Sequence, residues 1–426
     1  MSVDATSRTG EGMAARLAGV GASYSAVIRS PRYFPLWLGQ LVSNFGDTLH
    51  YIALVVLVFQ LSGEGLAVAG LVATEIVPVL VLGPVAGVLI DRFSRKGILI
   101  GADLFRGALV LSLLWPQGVW HAYLVAAGLS AGSVFFNPTV NAVIPVLTTP
   151  EQRLAANSVS WSTGRLVQIV AASIAGGVIA LVGTGPAFAL NAASFAVSAV
   201  LIATLPVPAH AGQIEGGAKR GLSSFFADAG AGLAYARKDF FVSRLLVVQS
   251  LASFAVGGTG AMLVVLSERH LHQPPEGFAW LIGAIGVGAL LGPLIPNTFA
   301  RDYRSARWLF APYLVRGVGD VLIAVFTPLP VALLILFVYG LNTSTGMVVF
   351  NSTIQGAIPE AMRGRVFTLL DVSWSTMRLV SLGLGALVVD RLGVAPLYWM
   401  GGTLLFLAGA LGLATLGRFE FRTEPN

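Results

Sequence analysis

Val159-Ser160-Trp161-Ser162-Thr163-Gly164-Arg165-Leu166-Val167 returns as Val372-Ser373-Trp374-Ser375-Thr376-Met377-Arg378-Leu379-Val380, with eight of nine residues identical at an offset of 213. That offset is half of the 426 residues in the chain. Three further blocks keep the same order. Phe136-Asn137-Pro138-Thr139 through Ile144-Pro145 pairs with Phe350-Asn351-Ser352-Thr353 through Ile358-Pro359 at offset 214, and Leu104-Phe105-Arg106-Gly107 with Leu314-Val315-Arg316-Gly317 at 210. Leu82-Gly83-Pro84 pairs with Leu291-Gly292-Pro293 at 209. The chain is a duplicated unit. In an apolar sequence, such a repeat implies two facing helical bundles with the working site between them.

Composition places the bundles in a membrane. Hydrophobic residues make up 55% and charged residues 11%, against roughly 25% charged in soluble domains. A spanning helix needs about 20 largely apolar residues. Twelve candidate spans satisfy this, near 34–61, 67–90, 97–115, 119–147, 155–182, 185–205, 241–266, 277–298, 306–327, 329–350, 365–389 and 394–417. The expected fold is all-α and integral to the membrane, six spans to each half. The expected units are a terminal segment (1–32), a first bundle (33–205), a linker (206–240), a second bundle (241–417) and a tail (418–426).

Charge orients the chain. With both termini in the cytoplasm, 20 of the 26 Lys and Arg fall in cytoplasmic segments, four inside spans and two, Arg269 and Arg391, outside. That asymmetry is the positive-inside signal of an inner-membrane protein. It also accounts for the net charge of +6 through contact with anionic lipid headgroups, so no nucleic-acid partner is expected. The absence of cysteine excludes disulfides and thiolate metal sites. The five histidines show no zinc-helix spacing; His270 and His272 beside Glu268 read as a solvated turn. Residues 1–30 lack the apolar core and cleavage site of a signal peptide. Neither a metal nor a cofactor is expected, and a monomer is.

The linker opens with Pro206-Val207-Pro208 and a glycine-rich run from Gly212 to Gly221 that holds Lys219 and Arg220. Phe225, Ala229 and Leu233 then share a helical face ahead of Arg237-Lys238. Either a helix on the inner membrane surface or an ordinary soluble linker helix fits this pattern.

Between the second and third spans stands Gly83-Pro84-Val85-Ala86-Gly87-Val88-Leu89-Ile90-Asp91-Arg92-Phe93-Ser94-Arg95-Lys96. Gly83 and Gly87 form a small-xxx-small face suited to close helix contact. Asp91 can pair with Arg92 or Arg95 or cap a neighbouring helix. The second copy, Gly292-Pro293 to Arg301 and Arg304, keeps basic residues and has Ala300 where Asp91 stands. This loop resembles the signature loop of the major facilitator superfamily. The stretches Leu36-Trp37-Leu38-Gly39-Gln40 and Ile358-Pro359-Glu360-Ala361-Met362-Arg363-Gly364-Arg365-Val366-Phe367 resemble its exporter branch of enterobactin exporters and macrolide efflux pumps. The resemblance implies two pseudosymmetric six-helix bundles, alternating access, and a gating loop made of Gly83, Gly87, Asp91, Arg92, Arg95, Lys96, Arg301 and Arg304. Ala172-Ser173-Ile174-Ala175-Gly176-Gly177 lacks the proline of the proton-antiporter signature, and the fourth span lacks that group's arginine.

Ionisable residues inside spans are costly unless paired or wetted, so they mark function. Asp47 lies roughly 20 Å into the first span at 1.5 Å per residue, with His50 one turn on, within reach for a jointly titrating pair. Glu75 lies in the second span. The resemblance puts the first span on the central cavity, and Asp47, the only acid of that span, is expected to carry the coupling proton or to bind a cationic substrate group, with His50 and Glu75 beside it. Asp103 and Arg106, and Arg316 and Asp320, are spaced as structural ion pairs, on helices peripheral in the family. Arg165 and Arg378 have no acid three or four residues away and, by the resemblance, belong to helices that flank the family's cavity, where the roles open to them are binding an anionic substrate group, countering the carboxylates or locking the bundles. No catalytic or nucleotide-binding constellation is present, so an enzyme is not expected. The reading is a secondary exporter of small amphipathic molecules, with proton antiport open beside it. An uptake or uniport transporter and a non-transporting receptor or scaffold are the alternatives.

Overall fold

The computed structural model describes residues 23–207, 230–274, 277–292 and 306–417. Twelve helices of 15 residues or more occupy them, one in each expected span. The first half holds α1 (Phe34–Ser62), α2 (Gly65–Arg92), α3 (Arg95–Ser112), α4 (Val119–Leu147), α5 (Arg153–Val182) and α6 (Thr184–Ala203). The second holds α7 (Phe240–Ala261), α8 (Gly277–Leu291), α9 (Ala306–Val325), α10 (Leu329–Ala357), α11 (Glu360–Leu392) and α12 (Val394–Leu416). Among the described residues, nine helices are long and apolar enough to cross a membrane by length and composition.

The elements depart from the hydropathy reading where polar sequence stays helical. α10 and α11 run to Ala357 and start at Glu360, beyond the apolar runs, because nothing short of Pro359 stops the helical turn. The seventh span breaks after Ala261 into a short turn, Leu263–Val265, and a π-spaced turn, Leu266–His270. The linker stretch 208–229, with Lys219, Arg220, Phe225 and Ala229, lies outside the described residues, as do Arg301 and Arg304. Its described end, 230–236, packs on protein: a Cβ at Gly232 would stand 3.1 Å from the Arg365 carbonyl carbon and from Leu369 Cβ.

The duplication is visible as a repeated packing scheme. In the first half α1 packs on α5 and α6, α3 on α4 and α6, and α2 on α4. In the second, α7 packs on α11 and α12, α9 on α10 and α12, and α8 on α10. The repeated nine-residue stretch has one job in both copies. Trp37 donates to Thr163 at 3.2 Å, and Ser160 donates to Gln40 at 3.2 Å. Displaced by 213, Ser250 bonds Ser373 at 2.7 Å, and Ser253 donates to the Trp374 carbonyl at 2.6 Å. Single glycines with positive φ, Gly183 (80°) and Gly393 (91°), join α5 to α6 and α11 to α12. A side chain is rarely tolerated in that backbone region.

A close contact between helices through small residues is found in the second half. A Cβ at Gly83 would meet nothing within 4 Å, and the side-chain environment of Gly87 lies outside the described residues. The tight crossing is α8 on α10, where a Cβ on Gly340 would come 2.7 Å from the Ile285 carbonyl carbon and 3.0 Å from the Ala289 nitrogen. Backbone-to-backbone approach of this kind is how helices associate without a hydrophobic driving force between them.

The twelve helices run alternately up and down, so the start of α1 and the end of α12 share one side, here called the terminal side. On the opposite side one apolar core joins the halves: Leu49–Phe59 of α1 and Val68–Val72 of α2 cluster with Met262–Leu266, Phe278 and Leu382–Val389. On the terminal side the core divides. Tyr33, Leu36, Leu99, Val143 and Ile202 cluster in the first half, and Phe241, Leu245, Phe310, Val366 and Leu416 separately in the second. The halves also touch through α2 on α11 and α5 on α8. The molecule is closed on the far side and parted on the terminal side.

Candidate functional site

Charged side chains from the two halves approach one another along the antiparallel pair α2 and α11. Glu75 of α2 is half-buried and Arg378 of α11 is exposed. The Arg378 charge acts on Glu75 through space. Tyr51 of α1 feels both groups, and Tyr339 of α10 also feels Arg378. An acid of α2, a guanidinium of α11 and a phenol of α1 thus lie within electrostatic range of one another, while Tyr339 lies chiefly against Arg316. A guanidinium this far inside a span is costly unless it is paired or wetted. Gly257 of α7 seats α11 here: a Cβ would lie 2.9 Å from the Arg378 carbonyl oxygen.

Toward the terminal side, a cleft of about 500 Å³ is lined by Gln40, Asn141, Asn157, Ser158 and Ser160, with Val140 and Ile144 beside them. Its amides and hydroxyls come from α1, α4 and α5. A mostly apolar lining that carries a few neutral polar groups accepts varied ligands without demanding a fixed charge.

Asp47 sits apart from this cluster. Its Oδ1 accepts from Asn191 Nδ2 of α6 at 3.3 Å, and it interacts electrostatically with Arg106 and Asp103. The Asp47–His50 pair suggested by their spacing is not formed. His50 is buried, neither ring nitrogen has a hydrogen-bond partner, and the ring lies edge-on to Phe188 with centroids 5.4 Å apart. Both side chains are drawn to α6, a different neighbour from the one along their own helix.

Asp103 and Arg106 form a buried ion pair, Nη2 to Oδ1 at 2.5 Å, with side chains 0% and 4% exposed. The guanidinium lies between the Phe136 and Phe195 rings, 4.3 and 4.4 Å from their centroids. Breaking a shielded pair from one side costs about 3–5 kcal/mol, whereas replacing both members by apolar groups is often neutral. Arg106→Leu should therefore lower the thermal midpoint in detergent sharply, and Asp103→Leu with Arg106→Leu should recover most of it. Equal losses in the single and double variants would refute the pairing as the cause. Arg316 and Asp320 are arranged differently. Arg316 lies over the Tyr339 ring at 3.9 Å, it acts on Asp320 through space, and its Nε and Asp320 Oδ2 lack partners.

The signature loop is anchored within the first half. Arg95 is buried, with Nη1 donating to the Ala142 carbonyl at 3.2 Å, and Lys96 Nζ donates to the Leu205 carbonyl at 3.0 Å. Cations belong near such helix C-termini. Ser94 caps α3 by accepting from Gly97 N at 3.2 Å. Arg92 is exposed. The side chains of Asp91 and Arg165 lie outside the described residues. Tyr51 and Tyr339 were not singled out from sequence, because aromatics within apolar runs carry no signal separating site from core.

The profile of the family described as transmembrane secretion effector matches residues 22–421. An MFS-type transporter of Bacillus subtilis, YfiS, is 26% identical over 391 residues, covering 89% of this chain and 91% of the relative. Macrolide efflux protein A of Streptococcus pyogenes is 24% identical over 385 residues, covering 88% and 93%. The multidrug efflux pump Tap of Mycobacterium tuberculosis is 28% identical over 361 residues, covering 79% and 82%. Among solved structures, an inward-facing, unoccupied bacterial homologue of the lysosomal transporter Spinster has a TM-score of 0.67 at 15% identity, covering 95% of this chain and 99% of that one. Repeat, fold and profile agree: the chain belongs to the transmembrane secretion effector family of the major facilitator superfamily.

Proposed function

We propose that this transporter exports small amphipathic molecules across the inner membrane by alternating access, and that proton entry through Glu75 drives it. The observation that carries the reading is that Glu75 and Arg378, on the packed helices α2 and α11 of opposite halves, lie within electrostatic range of each other. On the terminal side of this pair lies the first-half cleft lined by Gln40, Asn141, Asn157, Ser158 and Ser160. The positive-inside charge distribution makes the terminal side cytoplasmic, so the cleft collects its cargo from the cytoplasm or inner leaflet. Efflux relatives of macrolides and several drugs support an apolar cargo with scattered polar groups.

The site suggests a simple exchange. With Glu75 ionised, its charge and that of Arg378 hold α2 against α11. A proton arriving on Glu75 frees Arg378 to be solvated or to meet an anionic part of the cargo. Because Glu75 and Arg378 belong to different halves, the protonation state biases how the halves are disposed. Asp47, bound to Asn191 inside the first half, has no such lever.

Purified protein in vesicles, with a fluorescent amphiphile or a macrolide supplied on the outside, tests this directly. Uptake into inside-out vesicles should require an acidic interior and collapse when a protonophore dissipates the gradient. Transport indifferent to the gradient would remove proton coupling, and no transport of any amphiphile would remove the exporter reading.

A further inference from the structure

The far side is held by something beyond apolar packing. Asp390, in the last turn of α11, reaches across to the first turn of α2. Its Oδ1 accepts from Gly65 N at 2.9 Å, and its Oδ2 from Leu66 N at 3.1 Å. First-turn amides have no partner within their own helix, and they carry the positive end of the helix dipole. A carboxylate there satisfies two donors and sits at the favourable pole at once. Arg269 joins the same point from the π-spaced turn after α7, with Nη1 4.0 Å from Asp390 Oδ1 and Nη2 bonded to the Gly63 carbonyl. That turn, closed by Leu271 N to Leu266 O at 3.0 Å, is what carries Arg269 toward the α1–α2 corner.

Geometry also explains why glycine stands at the start of α2. A Cβ on Gly65 would lie 3.0 Å from Met262 Sδ, 3.2 Å from Val389 Cγ1 and 3.3 Å from Asp390 Oδ1. A single Cβ here asks those side chains to give by a few tenths of an ångström, and a branched side chain would press on all three at once. Of the two kinds of contact, the amide bonds dominate. The Arg269 and Asp390 side chains are 42% and 25% exposed, and an ion pair so placed is weakened by water and salt.

We infer that Asp390 is a positioning residue of the transport cycle: it clasps the first turn of α2, steadied by Arg269, and must release both amides before the far side can open. The inference rests on the alternating-access part of the proposed function and is independent of cargo and coupling ion.

The chain has no cysteine, so paired spin labels can be placed without background. Gln117 and Thr327 are exposed on far-side loops of opposite halves. Labels at Gln117→Cys and Thr327→Cys, on full-length protein in lipid discs, read the distance across that face. Asp390→Ala should raise the long-distance population about tenfold or more, since charge-assisted hydrogen bonds to a carboxylate are the strong class. Gly65→Val, which leaves the carboxylate in place, should shift it in the same direction, and Arg269→Gln should shift it less than Asp390→Ala. Unchanged distances in folded Asp390→Ala and Gly65→Val proteins would overturn the clasp. So would a fall in thermal stability with no change in distance, the mark of a mere packing contact. The distances are read without cargo or gradient, so their outcome stands apart from that of the export assay.

Discussion

Glu75→Gln should abolish the acceleration of export by a pH gradient while leaving exchange of cargo down its own gradient intact. The amide keeps the size of the side chain but can neither bind nor lose a proton. Its effect on folding should be small. Arg378 is exposed, so losing its partner costs about 1 kcal/mol and not the several kcal/mol of a dry pair. The measurement is the ratio of transport with and without a gradient, which should fall to one. Asp47→Asn is the comparison. Asp47 accepts from Asn191 and lies in the electrostatic range of Arg106 and Asp103, so its replacement should lower stability while the gradient ratio stays above one. The reverse result, a lost ratio in Asp47→Asn and an intact one in Glu75→Gln, would return the proton to α1.

A second large effect should come from Gly340→Val. The added Cβ would face the α8 backbone, 2.7 Å from the Ile285 carbonyl carbon, and no side-chain rotation can move a backbone atom aside. Overpacking typically costs about 1–3 kcal/mol; here two helices must separate, so the upper end applies. The monodisperse fraction surviving heat in detergent should drop steeply. Gly83→Val is the matched control, since a Cβ at Gly83 meets nothing within 4 Å and the same assay should barely change. Similar losses in both variants would mean that valine harms these helices generally and that the α8–α10 crossing is not special.

The two glycines show where the sequence was legible. Hydropathy and duplication are one-dimensional properties, so the spans and the repeat could be read along the chain. Two charges three residues apart on one helix, such as Asp103 and Arg106, carry their neighbourhood in their spacing. Gly83 and Gly340 differ only in which way their helices are turned, and that rotation is set by packing partners from elsewhere in the chain. The same limit separates Asp47 from Glu75. Both are lone acids within apolar runs, yet α1 turns Asp47 toward α6, whereas α2 brings Glu75 within range of a charge from the other half. His50 follows this rule too: one turn from Asp47, it is spent on Phe188. Asp390 gave no signal, because an acid beside Arg391 at a helix end reads as ordinary surface charge.

The joined core on one side and the divided core on the other have a consequence for hydration. The parted terminal side holds water that a form open on the far side would release, and that second form would wet Leu49–Phe59 and their partners in the joined core. The two forms therefore bind different amounts of water, and water activity becomes a ligand of the transporter. Polymers too large to enter the cleft should move the balance toward the drier form, increasingly so with polymer size until exclusion is complete. The spin-label distances proposed above would register that movement, so osmolarity alone would bias the carrier before any cargo arrives.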